Sequence, residues 1–115
     1  MPREGEIDRA ALDRYREMLR HLKAEGFTTM VTLHHFTNPH WFVARGGWEK
    51  GPLPPFLRYV NETVGALDDL TDLWATINEP TGYAILGWLL GQWPPGRKRD
   101  FFGCLRVIRR MMRTH

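Results

Sequence analysis

Serine is absent from the chain, and cysteine occurs only once, at Cys104. The first absence excludes a serine nucleophile, and the second excludes a disulfide within the chain, which fits a reducing compartment. No apolar run approaches the roughly 18 residues of a membrane span, and residues 1–10 lack the apolar segment of a signal peptide. We therefore expect a cytoplasmic protein without a membrane partner.

The sequence also lacks the motifs of a phosphate-binding loop and of a metal-binding cluster. The glycines at 46–47 and 51 do not lie in the strand-turn-helix context that a phosphate loop needs. His34 and His35 are adjacent on a predicted strand, so their side chains point to opposite faces and cannot easily share one ion. We expect neither a metal nor another cofactor.

Charge is nearly balanced, with a formal net charge of +3 over 115 residues. The one basic cluster, within 97–113, has two interpretations: a nucleic-acid or membrane-surface helix, and the solvated face of an ordinary amphipathic helix. The second is favoured because acidic residues elsewhere nearly balance the total. We expect no nucleic-acid partner.

Five tryptophans are the unusual feature of the composition, and four of them fall in segments that proline and glycine mark as loops. Such rings either pack a loop onto its scaffold or offer a flat face to a sugar, and both interpretations stay open. The four are Trp41, Trp48, Trp88 and Trp93.

Hydrophobic periodicity predicts the order helix, strand, helix, strand, helix. The first strand, within 27–36, is β-branched and apolar without alternation, which is typical of a strand buried on both faces of a parallel sheet. Two strands joined by one helix form a parallel βαβ unit, so the predicted fold class is α/β. The first helix follows Asp8, which can cap it, and ends at Gly26. The other predicted segments are a loop over 37–55, a helix with apolar positions from Phe56 to Leu67, a strand over 73–78, an aromatic loop over 79–100 in which 83–90 could form a short helix, and an amphipathic helix over 101–115.

Polar residues end both predicted strands. Asn78 and Glu79 follow the second strand, and the two histidines end the first. Chemistry in α/β proteins lies at the carboxyl ends of parallel strands, so His34 or His35 is expected beside this pair. Glu79 could then serve as a general acid, a general base or a metal ligand, whereas Asn-Glu-Pro by itself is more often a simple turn.

Several stretches together resemble glycoside hydrolase family 1, the β-glucosidase family. The upstream helix within 12–27 also looks like the one before the family's third barrel strand. The resemblance implies a partial (β/α)8 TIM barrel that covers the third and fourth barrel strands. The matching stretches are TLHHFTNPHWF (32–42), GGW (46–48), WATINEP (74–80), GY (82–83) and QWPPG (92–96).

The resemblance also implies roles for four residues of a retaining β-glycosidase. Glu79 matches the catalytic acid/base, and Asn78 matches the amide that contacts the sugar 2-hydroxyl. His35 matches the sugar-binding histidine after the third strand. Phe36 stands where the family often has tryptophan, and it keeps an aromatic wall there. Trp48 looks structural.

Retention needs a second carboxylic group about 5 Å from the first, and the resemblance places none in this sequence. We therefore expect residues 1–115 to form a single partial catalytic domain, incomplete at both ends, inactive alone, with the remainder of the barrel as its partner. The expected substrate is a β-glycoside of unspecified sugar. Asn38 and His40 depart from the family pattern and receive no role. Two alternatives stay open: another (β/α)8 glycosidase family of the same clan, and a non-catalytic truncated remnant.

Overall fold

A computed structural model describes residues 1–115 and contains two strands among mostly helical segments. The predicted order of helix, strand, helix, strand and helix is confirmed, and shorter helices lie between these elements. The bounds are α1 (Arg9–Ala24), β1 (Met30–His34), α2 (His40–Ala44), α3 (Gly47–Lys50), α4 (Pro54–Leu67), a 3₁₀ turn (Asp68–Leu70), β2 (Leu73–Ile77), α5 (Pro80–Ala84), a π-helical turn (Ile85–Leu89) and α6 (Phe101–Met112).

The two strands pair in parallel, as predicted for a βαβ unit. Met30 lies opposite Leu73 at the start of the ladder, and His34 lies opposite Ile77 at its end. The prediction that the first strand is buried on both faces is wrong for its first half, because Met30 is 63% exposed. A sheet of two strands leaves both edges unpaired, so only the carboxyl half of β1 is covered by packing elements.

Local signals at the ends of α1 and α4 act as the sequence indicates. Asp8 caps α1, since its Oδ1 accepts a hydrogen bond from the Ala11 N–H at 3.0 Å. Gly26 follows the helix with a φ of 82°, the left-handed conformation that glycine adopts without steric cost. Pro54 and Pro55 occupy the first turn of α4, where their missing N–H groups would have no helical partner anyway.

The core lies around α5 and α6 rather than around the sheet. One cluster of eight buried residues joins α2, α3, α5, the π-helical turn and α6. Cys104 belongs to it, as expected of a small apolar residue. The members are Phe42, Trp48, Tyr83, Ala84, Trp88, Cys104, Val107 and Met111.

The two predicted loops are wrong in part, because each contains short helices. Residues 37–55 include α2 and α3, which were not predicted. Residues 79–100 include α5 and the π-helical turn, which agree with the possible short helix over 83–90 but begin three residues earlier. The glycines that suggested loops separate these short helices instead: Gly46, with a φ of 97°, turns the chain from α2 into α3. Trp48 is consequently only 1% exposed, which confirms its structural character.

The basic face of α6 is only partly solvated. Arg106 binds the buried carboxylate of Glu49 at 3.0 Å, and Arg110 donates from Nε to the Trp48 carbonyl oxygen at 2.8 Å. The expectation of a wholly solvated face is therefore wrong for these two arginines, which fasten α6 to α3. None of the helices is both long and apolar enough to cross a bilayer.

Candidate active site

The carboxyl ends of β1 and β2 lie side by side and form what we call the rim, residues 35–38 and 78–83. The ladder continues one step past the strands, since the Asn78 N–H donates to the His34 carbonyl oxygen at 2.9 Å. His35 and Glu79 therefore leave the sheet at the same edge. The parallel register thus brings together the two polar segments that the sequence separates by more than forty residues.

The adjacent histidines at the end of β1 have opposite environments. His34 is 5% exposed, and its ring meets Trp48 edge-on with centroids 5.1 Å apart. His35 is exposed. This difference follows from the alternation of side chains along a strand, and it leaves His35 as the histidine that can reach a ligand.

Each rim segment contains a non-glycine residue with a left-handed backbone. Phe36 has a φ of 72°, and Glu79 has φ 41° and ψ 58°. Residues held in this region cost on the order of 1–3 kcal/mol, and they cluster at binding and catalytic sites where surrounding contacts hold them in place. Strain at two neighbouring strand ends marks the rim as the candidate site.

The carboxylate of Glu79 is exposed and lies over the first turn of α5. A Cβ at Gly82 would lie 3.1 Å from Glu79 Oε2, so the absence of a side chain there leaves space for the carboxylate. With any other residue at position 82, the Glu79 carboxylate would have to move away from this position.

Aromatic rings form a wall on the β1 side of the rim. The rings of His35 and Phe36 meet edge-on at 4.9 Å, and those of Phe36 and Trp93 at 4.7 Å. Trp93 is the one tryptophan of the predicted four that does lie outside helices. That this wall faces a sugar stays a prediction.

A hydrogen-bond network centred on Asn38 lies behind the rim. Asn38 Nδ2 donates to the Phe36 carbonyl oxygen at 3.3 Å and to the Tyr83 hydroxyl at 3.0 Å. Asn38 Oδ1 accepts from Trp48 Nε1 at 3.0 Å and lies 3.2 Å from His34 Nε2. All the hydrogen-bonding capacity of this amide is therefore used.

The Phe36 carbonyl fixes the orientation of this amide. A carbonyl can only accept, so the group that faces it must be the Nδ2 donor, and Oδ1 must be the acceptor. Trp48 Nε1 also lies 3.1 Å from His34 Nε2, so its N–H faces two acceptors, Asn38 Oδ1 and His34 Nε2. Burial lowers the pKa of His34, against the opposing effect of the Asn38 contact, and its buried Nδ1 has no hydrogen-bond partner.

No second carboxylate of the chain joins Glu79 at the rim. Glu49 is buried between Arg97 and Arg106, with its Oε2 2.9 Å from the first and its Oε1 3.0 Å from the second. Glu62 pairs with Arg9. The aspartates that precede β2 lie at the amino end of that strand and are also paired: Asp68 with Trp74, Asp69 with Arg16, and Asp72 with Lys23 and Thr29.

A cavity of about 360 Å³ lies beside β1. His34, His35, Trp41 and Tyr59 are among the residues that line it, but neither Asn78 nor Glu79 is. The cavity therefore shares His35, Thr37 and Asn38 with the rim but does not reach Glu79.

Sequence reasoning missed three residues of this site. Asn38 had no role, Tyr83 was only part of a motif, and Gly82 was not recognised as the residue that leaves room for Glu79. The spacing of Asn38, four residues after a histidine that ends a strand, does not reveal a contact with Tyr83 forty-five positions away.

Two parallel strands with a glutamate, an amide and a histidine at their shared carboxyl edge define the class as α/β, with polar residues where proteins of this class carry their chemistry. Comparison with known proteins gives the family. Residues 1–115 match the family described as Glycosyl hydrolase family 1, and the chain belongs to that family. This membership excludes the alternative that the chain belongs to another (β/α)8 glycosidase family of the same clan.

Solved structures and sequence relatives agree with this assignment. The family 1 β-glucosidase from Exiguobacterium antarcticum B7 superposes over 100% of this chain and 26% of its own, with a TM-score of 0.94 and 30% identity. The β-glycosidase from Pyrococcus horikoshii has a TM-score of 0.89 and 34% identity over 100% of this chain and 27% of its own.

Among curated relatives, β-glucosidase A of Thermotoga maritima is 30% identical over 112 residues, 96% of this chain and 25% of the relative. The chloroplastic galactolipid galactosyltransferase SFR2 of Arabidopsis thaliana is 31% identical over 96 residues, 83% of this chain and 15% of the relative. The chain thus spans about a quarter or less of the length of the relatives it matches, and it corresponds to part of their (β/α)8 barrel.

Proposed function

We propose that this chain supplies the acid/base half of a retaining β-glycosidase active site, with Glu79 as the acid/base. The observation that carries the proposal is the placement of Glu79 directly after β2, at the same edge as His35. A further support is the exposure of Glu79, which leaves the residue accessible to a substrate oxygen.

The reaction divides between two carboxylic groups. Glu79 gives its proton to the glycosidic oxygen while a second carboxylate attacks the anomeric carbon, and a covalent glycosyl intermediate forms. Glu79 then takes a proton from water as that water displaces the second carboxylate. Glu49, Glu62 and Asp72 are engaged away from the rim. The second carboxylate therefore belongs to the remainder of the barrel, which we propose as the partner of this chain.

Three neighbours of Glu79 fit roles in holding the sugar. The Asn78 amide can donate to a hydroxyl next to the anomeric carbon, and the His35 ring can hydrogen-bond a second hydroxyl. Phe36 supplies an apolar surface for the ring. We propose that residues 1–115 belong to one catalytic domain with a β-glycoside as its substrate, and that they are inactive without the second carboxylate.

The test places the chain in a complete barrel by substituting it for the matching 112-residue quarter of the Thermotoga β-glucosidase. Glu79→Gln should remove proton donation, so aryl glycosides with poor leaving groups lose most activity, on the order of 10²–10⁴-fold. Activated aryl glycosides should lose much less activity in the step that forms the covalent intermediate. Added azide should restore their turnover, because a small anion attacks the intermediate without base assistance.

Glu62→Gln is the matched control, because it removes a carboxylate of α4 that pairs with Arg9 of α1, and it should leave the kinetics unchanged. Equal losses on both substrate types, or no response to azide, would contradict the role of Glu79. A chimera that melts like the parent enzyme yet hydrolyses nothing would contradict the whole proposal. Activity of residues 1–115 alone that disappears in Glu79→Gln would contradict the division between two carboxylates.

A second candidate is transfer of the glycosyl group to an acceptor hydroxyl instead of water. The galactolipid galactosyltransferase among the relatives favours it, and the aromatic wall of Phe36 and Trp93 offers an apolar surface for an acceptor. Glu79 would then take the proton from the acceptor. Product analysis with a sugar acceptor in excess separates the two, since transfer gives a new glycoside and hydrolysis gives free sugar.

We place this activity in the cytoplasm. A human relative, a cytosolic β-glucosidase, is 28% identical over 96% of this chain, whereas the plant relatives named SFR2 are chloroplastic. Fractionation of cells that produce the natural gene product tests the assignment, and recovery of the protein from a membrane-bounded organelle would overturn it.

A further inference from the structure

The network behind the rim connects the two strained residues of the candidate site. Asn38 Nδ2 donates to the Phe36 carbonyl oxygen, and Tyr83 N–H donates to the Glu79 carbonyl oxygen at 2.9 Å. The hydrogen bond between Asn38 Nδ2 and the Tyr83 hydroxyl, at 3.0 Å, links these two contacts. One chain of three hydrogen bonds therefore runs from Phe36 to Glu79 without passing through the sheet.

We propose that Asn38 and Tyr83 are positioning residues that set the separation of the Phe36 and Glu79 segments of the rim. Phe36 and Glu79 have left-handed backbones, which relax when the surrounding contacts are lost. A hydrogen bond to the carbonyl of each residue opposes that relaxation. The assignment of Phe36 and Glu79 to substrate rests on the proposed function, whereas the connection itself does not.

The environment of the network makes it stiff. Tyr83 is 8% exposed and belongs to the core cluster, and its ring meets the His34 ring edge-on at 5.7 Å. The opposite side of the amide is held by Trp48, which is 1% exposed. Because buried side chains in a packed core have few alternative positions, the amide transmits the position of one rim segment to the other.

The chain offers a matched pair of tyrosine variants for the test. Tyr83→Phe removes only the hydroxyl that links the two rim segments. Tyr59→Phe removes another mostly buried hydroxyl, which donates to the Leu33 carbonyl oxygen at 3.0 Å and does not touch the network. Burial raises the pKa of both hydroxyls, so the two changes are chemically alike.

The first measurement is amide hydrogen exchange by NMR on the isotope-labelled 115-residue chain, which needs no substrate. Tyr83→Phe should speed exchange of the residue 83 amide roughly three- to tenfold and shift the Phe36 and Glu79 resonances. The Trp48 indole N–H should stay protected, because Asn38 still accepts from it. Asn38→Leu should speed exchange of the Trp48 indole N–H, which then keeps only His34 Nε2 as an acceptor. Adding Tyr83→Phe to Asn38→Leu should change the rim no further, because the connection is already lost.

Equal acceleration in Tyr59→Phe and Tyr83→Phe would show general destabilisation and overturn the proposal. Unchanged Phe36 and Glu79 resonances in Tyr83→Phe, or an unprotected Trp48 indole in the unmodified chain, would overturn it as well. In the chimeric barrel, Tyr83→Phe should lower kcat on the order of tenfold for poor leaving groups and less for activated ones. If exchange changes as expected but this difference is absent, the network stands and the role of Glu79 fails.

Discussion

The backbone N–H of Asn78 donates to the carbonyl oxygen of His34 over 2.9 Å, one step beyond the last paired residues of the sheet. This bond keeps the two chains together where they leave the strands. His35 and Asn78 therefore emerge at one edge, and a sugar held there can contact both. The relationship depends on the parallel register alone, so it requires no special side-chain contact.

The two histidines of β1 should respond to substitution in opposite ways. His35 is exposed at the rim, so His35→Ala should lower kcat/KM of the chimeric barrel by a factor equivalent to roughly 1–3 kcal/mol with little change in Tm. His34 is buried among aromatic rings, so His34→Ala should lower Tm by the cost of a cavity. Paired kinetics and melting curves check this, and the reverse pattern would mean that His34 faces the substrate.

Acid should destabilise the fold through His34. Burial lowers its pKa below the ordinary 6.5, so below that pH the unfolded chain binds a proton that the folded chain does not. Stability is therefore full above pH 6.5 and falls as the pH drops toward the folded-state pKa. His34→Phe should flatten the dependence of Tm on pH below about 6.5. An unchanged slope in His34→Phe would show that another group is responsible.

Gly82→Ala should separate stability from catalysis. The added Cβ would lie 3.1 Å from Glu79 Oε2, so the carboxylate must shift by a few tenths of an ångström. In the chimeric barrel we expect a loss on the order of tenfold in kcat, with stability unchanged or raised by about 0.5–1 kcal/mol because alanine favours helix. Gly65→Ala on α4, where a Cβ meets nothing within 4 Å, should stabilise without affecting kcat. Full activity in Gly82→Ala would mean that the carboxylate position is not critical.

Loss of the buried charge at Glu49 should destabilise the chain. Glu49→Gln keeps the shape and a partner for the Trp88 indole but weakens the contacts to Arg97 and Arg106. These arginines are nearly half exposed and remain hydrated, so we expect a cost of about 1–3 kcal/mol in urea unfolding. Glu62→Gln, on a far more exposed pair, should cost within about 0.5 kcal/mol. Equal costs would indicate that burial of Glu49 contributes nothing to its pairing.

Local patterns were sufficient for the main elements. The helical spacing after Asp8, the prolines in the first turn of α4 and the β-branched run of β1 each depend on residues close together in the sequence. Short-range sterics and capping decide such features, so they can be predicted without knowledge of the fold. The short helices α2 and α3 were missed because glycine and proline bound short helices as well as loops.

The sequence by itself determined the parallel βαβ order, the family, and the polar residues that end the two strands. Only the tertiary structure decided which of them meet: the contact of Asn38 with Tyr83, the space beside Gly82, and the pairing of Glu49 with two distant arginines. The physical reason is that the Asn38 and Glu49 contacts join residues far apart in the sequence, up to fifty-seven positions, and follow from how the helices pack against one another. The space beside Gly82 depends instead on the conformation of the Glu79 side chain. The period of a local pattern carries no information about either.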